Sequence, residues 1–262
     1  MFGTRFWIAC TAVACMSACD LDTSLAPRVE LDVVVQPSQD TFQTNDDTTI
    51  ELTEARIAID TIEFTTEGEM HARAGILPAL HDLVVPTAYA HPGHSAGGEV
   101  IGELAGRFVL DCLATEQTLG LATMLTSEYT GANFTFAVAD ASDGLDAADP
   151  LIGHTFVLAG TATRGDVEVE FVAYVDQDED REIIGLPLSF SPNEDSTERL
   201  GIQFDPVDPV EGDTIFDGID FVGLDEDEDG FVELSADDHP EAWALLRRAL
   251  QEHDHYAVEV LP

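Results

Sequence analysis

The sequence predicts an all-β protein: an antiparallel β-sandwich of roughly 8–11 strands with one C-terminal α-helix. Three observations predict it. Short runs in which apolar residues alternate with polar or small ones recur along the chain, the period-two pattern of strands with one buried face. Gly, Asp and Asn punctuate those runs at regular intervals, as tight turns require. The gaps between consecutive runs are also too short for the crossover helices that join neighbouring parallel strands.

The elements follow in order. VELDVVV (29–35), TIELTEARIAIDTIEF (49–64), RFVLDCLA (107–114) and LGLATML (119–125) supply the first strands. NFTFAVAD (133–140), HTFVLAGTAT (154–163), DVEVEFVAYVD (166–176), EIIGLPLSF (182–190) and RLGIQFD (199–205) continue the series. Two segments break the rhythm. Residues 66–98 form a long connection rich in Ala, Pro and His, and connections of that length tend to be functional. HPEAWALLRRALQEH (239–253) reads as the helix, with Asp238 or His239 at the N-cap, Pro240 and Glu241 in the first turn, and Arg247 and Arg248 further along. Trp243, Leu246 and Leu250 fall at i, i+3 and i+7, a stripe suited to packing on the sheet. HYAVEV (255–260) closes the series.

The N-terminus carries an address. MFGTRFWIACTAVACMSAC has one cation, Arg5, then an apolar run from Phe6 to about Cys15 and small residues before Cys19. Residues 1–18 are a secretory signal, too short to remain as a spanning helix. Met16-Ser17-Ala18-Cys19 resembles a bacterial lipobox, which implies a diacylated Cys19 as the new N-terminus. The alternative is ordinary cleavage after Ala18 and a free secreted protein. On the lipoprotein reading, residues 19–28 are anchor and tether, and 29–262 are a single domain in the bacterial cell envelope, on the periplasmic or outer surface of a membrane. The lipid is then the one membrane contact, and any protein partner is another envelope component. Cys10 and Cys15 leave with the signal, so Cys112 has no partner for an intrachain disulfide. Among the apolar neighbours of RFVLDCLA it reads as a small buried hydrophobe.

Charge narrows the function. The chain has 52 acidic residues against 10 basic ones, every one of them arginine, for a formal net charge of −42. Such a field repels nucleic acid and anionic headgroups and attracts divalent cations and basic partners. It is also the surface expected of a protein adapted to salt, which screens self-repulsion over about 8 Å or less.

Two constellations could hold a metal. In HPGH, Pro92-Gly93 fits the centre of a type II turn that brings His91 and His94 within about 7 Å. Copper or zinc needs about four ligands; His71 and His81 are the first candidates to complete the set, with Asp82 and Glu99 behind them. The alternative is a turn carrying two solvated imidazoles. In LDEDEDGFVEL, Asp225, Asp227, Asp229 and Gly230 match the opening of a Ca²⁺ loop. Phe231 offers its carbonyl at the seventh position and Glu233 stands at the ninth. The twelfth position is Ala236 where an EF-hand has Glu, leaving Asp237 or Asp238 to substitute, and no helix is predicted ahead of the loop. The alternative is a hairpin turned at Asp229-Gly230 with hydrated acids. DQDED (176–180) repeats the acidic pattern without glycine. The chain has no G-x-S-x-G, H-E-x-x-H or phosphate-binding glycine loop, and His253-Asp254-His255 reads as a polar corner, so a binding role is expected and an enzyme is not.

AYAHPGHSAGGEVIGELAGRFVLD (88–111), with Cys19 and DTIFDGIDFVGLDEDEDGFVEL (213–234), resembles a group of myxobacterial lipoproteins in which an Ala-His-rich HPGH loop precedes a G-E-x-x-G-x-F-x-x-D strand. More distantly, the strand series ending in IFDGIDF and a short helix is similar to periplasmic copper-binding β-sandwich proteins associated with methanobactin-linked diheme peroxidases. The resemblance implies a β-sandwich in the envelope. The copper ligands of those proteins have no residue-by-residue match here, and Trp243 reads as a core residue. Two functions stand: a lipid-anchored binding protein capturing copper or zinc through its histidine loop, or a non-enzymatic surface module, structural or adhesive, with a Ca²⁺-ordered acidic hairpin.

Overall fold

Period-two patterning dominates the computed structural model, which describes residues 26–66, 98–178 and 181–262. Thirteen strands form one mixed sheet. In chain order they are β1 (Arg28–Val35), β2 (Thr41–Gln43), β3 (Thr49–Thr66), β4 (Glu99–Leu104), β5 (Phe108–Asp111), β6 (Gln117–Leu125) and β7 (Tyr129–Phe136). Then come β8 (Phe156–Arg164), β9 (Val167–Val175), β10 (Glu182–Phe190), β11 (Arg199–Phe204), β12 (Phe231–Leu234) and β13 (Tyr256–Leu261). The helices are the single turn α1 (Phe221–Leu224) and α2 (Pro240–Ala249).

β3 organises the rest. On one edge its first half pairs with β8, from Thr49↔Thr163 to Ile57↔Phe156. The same edge then passes to β7, from Ile59↔Phe136 to Thr65↔Gly131, with a register shift between Ile59 and Ile62. The opposite edge takes β2, β5 and β4 in turn. One long strand therefore belongs to two diverging sets of neighbours, and the sheet splits where β8 gives way to β7.

Pairing is not purely antiparallel. β1 runs parallel to β11, with Val33 opposite Leu200, and β12 runs parallel to β9, with Val232 opposite Phe171. The short-gap argument excludes parallel pairing only between consecutive strands. These partners are far apart in the chain, and the crossover between them is made of other strands. The strands β2, β4 and β12 were also absent from the sequence reading.

From β3 the path runs through β4, β6, β1 and β11 to β13 in one direction and through β7 to β10 in the other, and β10 and β13 lie side by side. Tyr256 bridges this seam, its ring centroid 5.2 Å from that of Phe134 and 5.7 Å from that of Phe204, while its hydroxyl donates to Leu250 O at 2.8 Å. Inward residues such as Val33, Ile57, Ile62, Phe64, Met124 and Phe156 form the main core. A smaller cluster of Ala58, Ala137, Ala139, Leu151 and Val157 lies apart from it, three of its members on the connection between β7 and β8.

α2 follows its predicted stripe: Leu246 and Leu250 are buried. His239 is the N-cap but makes no side-chain capping bond, and Pro240 starts the helix. Trp243 is half-buried, its indole Nε1 donating to Tyr174 O at 2.8 Å. The helix stops at Ala249, earlier than 253, and a 3₁₀ turn at His253–His255 leads into β13. Among the described residues no helix is long and apolar enough to cross a membrane.

Candidate functional site

The acidic loop at 225–231 begins where α1 ends. Asp220 caps that turn, accepting from Gly223 N at 3.1 Å. Asp225 then folds the chain back on itself: its carboxylate oxygens accept from the backbone N–H groups of Asp229 and Gly230, each at 3.1 Å. Asp229 in turn accepts from Phe231 N at 2.9 Å. Gly230 has φ of +80°, a left-handed conformation that a side chain would oppose and that glycine adopts freely. As a result, Asp225, Asp227 and Asp229 each place one carboxylate oxygen within 4.8 Å of the others. Among the described residues this is the one group of three or more His, Cys, Asp or Glu close enough to share an ion.

Two details differ from the sequence expectation. A helical turn, α1, does precede the loop, although it is far shorter than an EF-hand helix. The loop also does not turn a hairpin: it joins α1 to β12, which lies parallel to β9 and is tied to it by Glu170 N donating to Gly230 O at 2.8 Å. Glu233 sits in mid-β12 opposite Val172, outside the carboxylate group, and its charge helps raise the Tyr174 phenol above its usual range, after the larger effect of burial.

The second acidic run is used differently. Asp176 accepts from or pairs with His154 Nδ1 at 2.9 Å, and Asp178 is held by Arg247 Nη2 at 2.7 Å. These acids tie β9 to its surroundings and do not converge on a shared point. At the 253–255 corner His253 Nε2 lies 3.0 Å from Asp254, whereas His255 is buried with Nδ1 2.9 Å from Asp205 O. Burial raises the Cys112 thiol far above its ordinary range, which removes its nucleophilic form. His71, His81, His91, His94 and Cys19 lie outside the described residues. Glu99, another candidate ligand, opens β4 opposite Thr66 at the base of that segment.

A feature that sequence reasoning missed lies at the split in the sheet. Asp60 on β3, Arg107 between β4 and β5, Val138 after β7, Thr155 before β8, and Gln177 and Asp178 after β9 line a cleft of about 260 Å³. No sequence motif marks these residues, because only the handover from β8 to β7 brings them together.

No family model matches the chain, and no curated protein or solved structure matches it either.

Proposed function

We propose that the protein is a lipid-anchored, non-enzymatic binding module of the bacterial cell envelope, folded as two β-sandwich layers, whose 225–231 loop holds a calcium ion. The proximity of the Asp225, Asp227 and Asp229 carboxylates carries this reading. Ca²⁺ takes six to eight oxygens. Three carboxylates and the Phe231 carbonyl fall short of that number, so water completes the shell and the affinity belongs to the weak extracellular class, about 10⁻⁴–10⁻³ M. The ion relieves the mutual repulsion of the three acids and fixes β12 on the edge of β9.

Thermal melting of the full chain at constant ionic strength tests it. Binding to the folded state alone raises stability by RT ln(1 + [L]/Kd), about 2.7 kcal/mol at one hundred times Kd. Millimolar Ca²⁺ should raise Tm beyond the effect of equal Mg²⁺, and Asp225→Asn with Asp229→Asn should abolish the increment. Equal shifts from the two ions would reduce the effect to charge screening.

A second site is proposed in the 67–98 segment, where His91 and His94, with His71 or His81, bind copper or zinc. Its support is the direct pairing of Thr66 with Glu99, which sets the two residues flanking the segment side by side. Titration calorimetry with Cu²⁺ and Zn²⁺ should show one site that His91→Ala plus His94→Ala removes; binding unchanged in that variant would reject it. The anchor has its own check, since mass spectrometry of the native protein should find fatty acids on Cys19.

A further inference from the structure

We propose that the cleft at the β8-to-β7 handover binds a small organic cation, a protonated amine with hydroxyl or carbonyl groups beside it. This is independent of the calcium and histidine readings.

The site is built from rigid parts. Gln177, 6% exposed, is locked on three sides: its N–H donates to Thr155 Oγ1 at 3.1 Å, its Nε2 donates to Arg247 O at 3.3 Å, and its Oε1 accepts from Gln251 at 2.5 Å. Thr155, 1% exposed, accepts through Oγ1 and keeps its hydroxyl proton for another partner. Arg107, also in the lining, is fixed by Asp143 through Nε at 2.8 Å and Nη2 at 2.9 Å, and by Val138 O at 2.6 Å.

What remains uncommitted defines the ligand. Nη1 of Arg107 takes no part in those bonds and is left to donate to a ligand oxygen. Asp60 uses Oδ1 to accept from Thr61 N and Oγ1, and Asp178 uses Oδ1 for Arg247. Among the described residues, the second oxygen of each takes no part in those bonds. Arg107 is matched by Asp143 and Arg247 by Asp178, so Asp60, whose charge also acts on Arg107, is in excess and the cleft carries a single net negative charge. That charge, within the field of a chain at −42, repels anions and favours an ammonium group. The volume lies below the roughly 300–1,000 Å³ of pockets that enclose drug-sized ligands, which limits the occupant to a single small ring or a short chain.

A charge series on one sugar ring tests this: glucosamine, glucose and glucuronate, titrated into the full chain at physiological salt and followed by protein NMR. Glucosamine should saturate one site, glucose should bind several-fold more weakly, and glucuronate should not bind. Asp60→Asn should weaken glucosamine by about three- to fivefold, the size of one partly exposed ion pair, and should leave glucose unchanged. Glu168→Gln, a change at an exposed acid on β9 away from the cleft, should have no effect. Equal affinity for glucosamine and glucose would make the site one for neutral polyols, and an equal response to the Asp60 and Glu168 variants would make the binding a general effect of surface charge. Either result overturns the proposal.

Discussion

Arg107 shows how a chain with few cations places them. Like Arg56, Arg164, Arg199 and Arg247, it holds a carboxylate in direct contact, so each of these cations acts as a local fastener within an acidic surface. Its partner Asp143 has a side chain only 3% exposed, and the Arg107 hydrogen bond holds that carboxyl below the usual carboxylate range. A lowered folded value means that the contribution is complete above the unfolded value of about 3.9 and is lost as pH falls through the folded one. Asp143→Asn should therefore cost about 1 kcal/mol in urea unfolding at pH 7, a modest figure because Arg107 is partly exposed. The gap between variant and parent should close in acid once the lowered Asp143 carboxyl is itself protonated; a gap that persists there would assign the loss to something other than charge. At this scale the acidic loop was legible because Asp225, Asp227 and Asp229 are neighbours in the chain. The cleft was not, because Asp60, Arg107, Thr155 and Gln177 come from four separate segments.

Among the elements, α2 is the most completely readable. Its stripe, its proline start and its acidic first turn all agree, so Leu246 could be placed in the core before any fold was known. Leu246→Ala should destabilise the protein by about 2–5 kcal/mol, the range for truncating a fully buried leucine, whereas a change at exposed Ala244 to Gln should stay within about 0.5 kcal/mol. Thermal or denaturant unfolding of the two variants separates them, and a loss under 1 kcal/mol for Leu246→Ala would detach the helix from the core. The long alternating strands were equally legible. β2 and β12, with three and four residues, are too short for a period to stand out. The parallel partners were invisible for another reason: strand neighbours distant in sequence are chosen by mutual burial of whole faces, and nothing local encodes that choice.

At the largest scale the described residues form one mixed sheet whose exposed charged side chains are mainly acids. A formal charge of −42 opposes the compact state, and the Debye length falls from about 10 Å at 0.1 M to about 3 Å at 1 M ionic strength. Tm should rise steadily with NaCl across that interval, and KCl should act alike, since screening does not depend on the identity of the ion. A flat response would mean that repulsion among the acids does not limit stability. The net charge was evident from composition alone, while the seam between β10 and β13 was not.

The rung joining Thr66 to Glu99 has an evolutionary corollary. Where a chain departs and returns on adjacent rungs, lengthening the departure is cheap: each doubling adds only about 0.6 kcal/mol of closure entropy. Insertions, deletions and new chemistry can accumulate beyond that rung with little penalty to folding. Related chains should therefore share the scaffold and diverge most freely there, letting one architecture be refitted for different ligands.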